Sequence, residues 1–386
     1  MSISFIVTSF DILPWIDSCL DSVAACARPG DRVIIVDDGS GDGTDVRIRQ
    51  RAAQGLGEGV EVLPVLLGVN TMGGVGIPAN IGLSHALSHP GCETVFFVDG
   101  DDWLEPTGFR ACRQHYETLR PDLLICGYSE FDEAAGQSRP ASDAASWSNL
   151  QAALRADFET QRSFALKMNS VPWRKFYSAE FLRRTGARFP EGDYFFEDNP
   201  FHWEVCLKAA TIGFDPVVLC QHRMNRPGQT MASTGAELLA FFDHFETIRA
   251  QVAATAPARA AEVITWLVTN MHWHLERMQI EALWPYASRA SQALAGVPEA
   301  DWQLYLTQGR ASSMTLLLQA LREGRVMDVL TLWTMAFQAR RQEALMAEVL
   351  TRLTVLEDRV QAIPSHDAWS EIERFRAILT LPHPQV

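Results

Sequence analysis

The stretch "VFFVDGDDWLEP", residues 95–106, drives four apolar residues straight into Asp99, Gly100, Asp101 and Asp102, with Trp103 behind them. A buried strand that surfaces into three carboxylates is costly. Like charges this close repel and raise one another's pKa, unless a cation sits among them. The stretch therefore predicts a cation site at a strand end.

Working outward, residues 3–10 read as a first strand, and Pro14 opens a helix whose Ile16, Cys19, Leu20 and Val23 share one face. Residues 32–36, 60–67 and 94–98 supply three further apolar runs. Strand and helix in alternation predict an α/β fold with a parallel sheet covered on its faces by helices. Ligands bind beyond the carboxyl ends of such strands. Two loops in that position are acidic or Gly-rich, "VDDGSGDGT" at 36–44 and "GVNTMGGVGIP" at 68–78. With "VDGDD", three strand ends converge on one predicted site. Residues 132–148 are small and polar, as a linker is, and from about residue 236 the pattern is helical almost throughout. The expected division is a sheet domain over 1–235 and an all-α region over 236–386.

A chain of 386 residues exceeds one typical core, consistent with two domains. A formal net charge of -14 argues against nucleic acid as a partner, because a nucleic-acid binder would usually show a basic face. An anionic substrate needs local help from a cation or from backbone amides. The seven cysteines form no CxxC pair, which suits reduced, buried thiols and a cytoplasmic protein. "MSISFIVTSF" reads as a strand, not as a signal peptide. No uncharged apolar run reaches the roughly 18 residues of a membrane span, so no transmembrane segment is expected. Peripheral contact with the inner face of the plasma membrane stays open.

The series "FIVTSFDILPWIDSCLDSV", "VIIVDDGSGDGT", "GGVGIPANIGL", "VFFVDGDDWLEP" and "FPEGDYFFEDNPFHWEVCLKA" resembles, in order and spacing, a family-2 glycosyltransferase with the GT-A fold. The likeness spans roughly residues 3–230 and lies in the series, each motif alone being weak. It implies a Rossmann-like mixed sheet and transfer of a sugar from a nucleotide-diphosphate donor, a UDP-sugar, usually with Mn2+ or Mg2+. The implied acceptor is a carbohydrate or lipid-linked glycan of a bacterial surface polymer.

Carried over residue by residue, the resemblance gives Asp38 a hydrogen bond to the donor's base, supported by Asp37, with Thr8 also on the donor. A turn explains the same acids, since Asp, Gly and Ser are good turn formers. Asp99 and Asp101 match the DxD pair. Asp101 is the implied metal ligand, while Asp99 contacts ribose or reaches the metal through water, and Asp102 orients the sugar. Hard cations take carboxylate oxygens and neutralise a leaving diphosphate, which is why acids are needed here. Gly73, Gly74 and Gly76 let the backbone approach the donor, with Asn80 beside them. Many relatives carry an Arg immediately before that Asn, where this chain has Ala79.

Glu197 and Asp198 match the ED pair, with Asp198 as catalytic base and Glu197 orienting the acceptor, or the two in exchanged roles. One base on one face implies inversion at the anomeric carbon. Trp173, Arg174 and Lys175 precede this pair and are candidates to reach phosphate or acceptor. His222 is either a third metal ligand or a structural histidine, and Arg226 is expected to bind diphosphate. His272 and His274 lie two apart, which on a helix points them away from each other, so no metal site is expected there. Met346, Val349, Leu353, Leu356, Val360 and Ile363 alternate spacings of three and four. They form either a homodimer seam or packing inside the helical region. From a different class, a noncatalytic sugar-nucleotide-binding or scaffolding protein would use the same fold, but intact acids at every motif favour an enzyme.

Overall fold

The computed structural model describes residues 1–71, 73–192, 195–226, 234–308, 313–361, 370 and 374. Nine strands form one mixed sheet: β1 (Ile3–Ser9), β2 (Arg32–Asp37), β3 (Glu61–Leu66), β4 (Thr94–Asp99), β5 (Trp103–Leu104), β6 (Leu123–Asp132), β7 (Gln137–Pro140), β8 (Lys175–Ser178) and β9 (Ile212–Met224). Their order is β3-β2-β1-β4-β8-β6-β9-β5, with β7 paired to β6. The first four strands run parallel, as the alternating pattern predicts, because each apolar run is followed by a helical crossover. β8 is antiparallel to β4 and β6, which makes the sheet mixed.

The helix Ile16–Cys26 turns Ile16, Cys19, Leu20 and Val23 into the core, the face that the spacing predicts. Phe5, Phe96, Phe109 and Phe176 meet in that core with ring centroids 4.8–6.1 Å apart. All seven cysteines are buried free thiols.

The register brings functional side chains level. Thr8 pairs with Asp99 across β1 and β4, and Ser9 pairs with Asp37 across β1 and β2. β5 then pairs antiparallel with Cys220 and Gln221, which draws the end of β9 against the acidic turn. A two-residue strand is thus enough to deliver His222 to carboxylates 120 residues earlier in the chain.

The chain divides into two compact units, 1–324 and 325–386. In the first unit the helices Ala240–Thr255 and Ala260–Arg277 pack on each other, and the former also packs on the helix Asp198–Lys208. The helical stretch from residue 236 to Gly324 thus belongs to the same compact unit as the sheet. In the second unit the helix Val326–Gln361 carries exposed Leu345, Met346, Val349, Leu350, Leu353 and Leu356. Ile363 lies outside the described residues. No helix among the described residues is long and apolar enough to cross a membrane.

Candidate active site

A cleft opens beyond the carboxyl ends of β1, β2 and β4. Thr8, Asp38, Gly74, Asp99, Asp101, Glu197, Asp198, His222 and Arg226 all line it, with Phe10, Val171, Pro172, Trp173 and Phe196 as apolar walls. These candidate site residues therefore converge. Asp37, Asn80 and Asp102 sit behind it and do other things.

Asp37 is fully buried and accepts from Ser9 Oγ, from the Ser40 amide at 3.0 Å and from Ser40 Oγ at 2.6 Å. It closes the turn after β2. Asp38 accepts from the Thr71 amide and hydroxyl, both at 3.0 Å, and from Asn70 Nδ2 at 3.2 Å. The two loops can approach this closely because residue 39 is glycine. Its φ is +74°, and a Cβ there would lie 2.4 Å from the Val69 carbonyl carbon. Burial raises the pKa of Asp38, opposed by the Thr71 hydrogen bonds.

The acidic turn is held by cations of the chain itself. Asp102 accepts from the Arg223 amide at 2.7 Å and pairs with His222 Nδ1 at 2.8 Å. It is a staple between the turn and β9, each of its carboxylate oxygens holding one partner. Arg226 Nε donates to Asp101 Oδ2, and the Arg226 guanidinium lies 5.0 Å from the Trp15 ring. Arg223 Nε donates to the Asp101 carbonyl at 2.8 Å. Burial, with Asp102 and Asp101 close by, pushes the Asp99 carboxyl well above the usual carboxylate range. For His222, burial alone would lower the pKa; the charge and hydrogen bond of Asp102 outweigh it and hold the imidazole at about 9. Its ring also stacks on Trp173, centroids 4.8 Å apart.

Asp99 and Asp101 offer the hard oxygen donors that suit Mg2+ or Mn2+, with the guanidinium of Arg226 already marking where positive charge is wanted. Among the described residues no group of three or more His, Cys, Asp or Glu is arranged as a complete metal cage. A cation held by one or two carboxylates and completed by substrate oxygens and water fits this donor set. His222 is turned by Nδ1 toward Asp102, which leaves Nε2 as the only ring nitrogen that could join such a shell.

Glu197 and Asp198 start the helix Asp198–Lys208. Glu197 reaches back to the glycine loop and accepts from the Gly76 amide at 2.6 Å. A Cβ on Gly74 would sit 2.3 Å from Glu197 Oε1, and one on Gly76 would sit 3.0 Å from Glu197 Cγ. These glycines thus make room for a carboxylate of the protein, and Gly74 also lines the cleft, a link that the motif order alone does not reveal. Burial, with the neighbouring charge of Asp198, pushes Glu197 up to about 7. Asp198 is raised by burial too, against the opposing charge of Lys175 and the Asn199 amide.

Asn80 is corrected. Its amide donates to the Phe189 carbonyl and Glu191 Oε1, both at 2.9 Å, and accepts from the Phe189 amide at 3.0 Å. It faces away from the cleft because the helix Gly76–Ser88 uses that face to hold residues 189–191. Arg174 is corrected as well. It is fully buried, paired with Asp143, donating to the Cys126 carbonyl at 2.6 Å and lying over Tyr128. Lys175 is also buried and donates to the carbonyls of Ser170 and Val171, at 2.8 and 2.7 Å, and burial lowers it to about 7. Trp173, by contrast, does reach the cleft. Sequence reasoning missed Phe196, whose φ of 64° turns the chain just before the acid pair. A bulky residue in that conformation carries no signal in the sequence.

The family model described as Glycosyl transferase family 2 matches residues 4–182. Two curated relatives come from Bacillus subtilis (strain 168). EpsJ, an uncharacterized glycosyltransferase, is 24% identical over 213 residues, 54% of this chain and 57% of that protein. EpsH, a glycosyltransferase by name, is 24% identical over 228 residues, 58% of this chain and 61% of that protein. The matches thus span less than two thirds of those relatives. Among solved structures, residues 1–349 of S. aureus TarS in complex with UDP-GlcNAc superpose with a TM-score of 0.66 at 18% identity, covering 88% of this chain and 92% of that one. The same TarS fragment with UDP gives a TM-score of 0.63. With its motifs in series and its strand ends converging on one acidic cleft, the chain matches glycosyl transferase family 2 over residues 4–182 and shares the GT-A fold with TarS.

Proposed function

We propose that the chain is an inverting glycosyltransferase that moves a sugar from a nucleotide-diphosphate donor to a glycan, lipid or other hydroxyl acceptor. The observation that supports this reading is the meeting, in one cleft, of Asp38, the Asp99–Asp101 pair and Asp198. Asp38 suits the donor's base, and Thr8 lies alongside. Asp101 and Asp99, with His222 Nε2 once its proton is lost, would hold Mg2+ or Mn2+. Bound there, the cation would supply positive charge to the diphosphate as it leaves.

The protein's own residues do the rest. Arg226 reaches Asp101 from beside Trp15 and is within the cleft to meet diphosphate oxygens. Asp198 removes the acceptor's proton during attack, because a hydroxyl is a poor nucleophile until it is deprotonated. Glu197 ties the glycine loop to this base. The apolar walls, Val171, Pro172 and Phe196, exclude water from the reacting side.

A UDP-sugar is the proposed donor, on the grounds that TarS, which shares the fold, is seen with UDP-GlcNAc and with UDP. The division of labour follows: residues 1–235 carry catalysis, and 236–386 serve acceptor binding or assembly, at the cytoplasmic side of a membrane in bacterial surface-polymer synthesis. Homodimerisation through the helix Val326–Gln361 is part of the proposal, since Met346, Val349, Leu353 and Leu356 keep a three-four spacing and are exposed. Light scattering on a chain ending near Gln338 tests it; an unchanged mass in a folded truncate refutes it.

The deciding experiment is a screen of nucleotide sugars for metal-dependent consumption, with the product's anomeric configuration read by NMR. Consumption of an α-linked donor with a β-linked product is expected. A retained configuration overturns the single displacement, and a chain that binds nucleotide sugar but consumes none overturns the enzyme reading.

A further inference from the structure

We propose that Asn199 and Ser170 are positioning residues that orient the carboxylate of Asp198 and select the oxygen that takes the acceptor's proton. This rests on Asp198 being the base.

Asn199 follows Asp198 in the first turn of the helix Asp198–Lys208, and its side chain is buried. Its Nδ2 donates to Asp198 Oδ1 at 3.1 Å and to the Phe196 carbonyl at 3.0 Å. Its Oδ1 accepts from Ser170 Oγ at 2.8 Å. The partners fix which way the amide faces. Reversed, Oδ1 would look at a carboxylate and a carbonyl, two acceptors with no hydrogen between them.

Ser170 in turn is immobilised through its backbone. Its carbonyl accepts from the buried ammonium of Lys175 at 2.8 Å, and the same ammonium holds the Val171 carbonyl at 2.7 Å. A chain of contacts therefore runs from a buried cation through a carbonyl, a hydroxyl and an amide to the carboxylate. It crosses from the residues before β8 to the start of the Asp198–Lys208 helix.

Three consequences follow. The amide grips Asp198 by Oδ1, so Oδ2 is the oxygen that meets the acceptor hydroxyl. The same amide joins the base to the left-handed turn at Phe196, a conformation that persists only where its surroundings over-determine it. An aspartate at 199 could not substitute, because it would set a second carboxylate against Asp198 and the Phe196 carbonyl. Misplacing a reacting group by about 1 Å can cost on the order of 100-fold in rate, which gives the network something to protect.

The test uses the full chain with Ser170→Ala, Ser170→Thr, Asn199→Ala and Asp198→Asn. A panel of UDP-, GDP- and dTDP-hexoses with Mn2+ supplies the donors, water serves as acceptor, and released nucleotide is the readout. For Asn199→Ala, kcat is expected to fall about 30-fold, and for Ser170→Ala about 5-fold, with KM for donor held within about 2-fold. Ser170→Thr restores the hydroxyl and is expected within about 2-fold of wild type in kcat, with a thermal midpoint like that of Ser170→Ala. Ser170→Ala is a mild change at a half-buried site, so it carries the test if Asn199→Ala does not fold. An inactive Asp198→Asn alongside Ser170→Ala and Asn199→Ala at full kcat overturns the positioning role and leaves the base standing. An Asp198→Asn chain as active as wild type, or a wild-type chain that consumes no donor, overturns the base and the positioning role with it.

Discussion

Two acidic turns line the same cleft, and their carboxylates find different kinds of partner. At residues 99–102 the carboxylates meet cations of the chain, His222 on Asp102 and Arg226 on Asp101, with the neutral Arg223 amide also on Asp102. At residues 197–199 the partners nearest to hand are neutral: the Gly76 amide on Glu197 and the Asn199 side chain on Asp198. In the first, burial and mutual repulsion raise Asp99 while cations of the chain stand against its neighbours, where an incoming metal and diphosphate would exchange with them. The second leaves burial in command and raises the proton affinity of both acids, as the proposed base would need. On the proposed reading, one family of side chains serves two tasks because its neighbours differ.

The largest expected effect breaks the two turns apart. Asp198→Asn keeps the shape of the helix start but removes the proton acceptor, so kcat should fall on the order of 1,000-fold with nucleotide affinity unchanged. Asp101→Ala should abolish turnover and also lower the affinity for nucleotide diphosphate, and only when Mn2+ or Mg2+ is present. Calorimetric titration of UDP against both variants, with and without metal, separates them. If Asp198→Asn weakens metal-dependent nucleotide binding as much as Asp101→Ala does, the division of tasks between the turns fails.

A smaller effect concerns stability. Glu197 has its pKa raised from an ordinary 4.5 to about 7, chiefly by burial and then by the charge of Asp198. A carboxyl with a raised folded pKa binds its proton more tightly when folded. Its contribution is fully present below about pH 4.5 and is lost as pH rises through about 7. At about 1.4 kcal/mol for each pH unit between the two values, the loss is about 3 kcal/mol. Glu197→Gln stays neutral and can still accept from the Gly76 amide. Urea unfolding of both chains at pH 5 and pH 8 should show the wild type losing stability relative to the variant by up to that amount. A difference that does not change with pH would mean that Glu197 titrates normally and that burial does not govern this turn.

The sequence made the sheet half of the fold readable because parallel strands, buried on both faces, are written as continuous apolar runs, Ile3–Ser9 and Thr94–Asp99 above all. The site was readable as far as strand ends predict it. Asp38, Asp99 and Asp101 line the cleft at the ends of buried strands that fix where they emerge, and Asp198 joins them from the start of a helix. Asn80, Asp102 and Arg174 were not, because a motif position does not say which way a side chain turns. Each found a partner distant in sequence, such as Phe189, His222 or Asp143, that only the folded chain brings near. The Asn199–Ser170 contact was hidden for the same reason, spanning 29 residues between two segments that share no pattern.

The smallest expected effect sharpens the cation side of the comparison. Arg226 occupies Asp101 Oδ2, which is also the oxygen a divalent ion would want, and its guanidinium is supported from behind by Trp15. Two cations cannot share that oxygen at full strength, so a metal entering alone must first displace the arginine. With nucleotide diphosphate present, the displaced guanidinium gains phosphate oxygens in a bidentate geometry, and the exchange becomes favourable. Arg226→Ala should therefore tighten Mn2+ binding to the nucleotide-free chain by about 3-fold, while weakening UDP binding in the presence of Mn2+ by about 10-fold, roughly the worth of one charge-assisted contact. Arg226→Lys keeps the charge but not the fork, and should lie between wild type and alanine for UDP. Manganese paramagnetic resonance for the free ion and calorimetry for UDP read the two arms. If Arg226→Ala weakens both equally, the arginine is a pillar of the acidic turn and does not compete with the metal, and the cations at residues 99–102 are fixed in place as firmly as the neutral partners at 197–199.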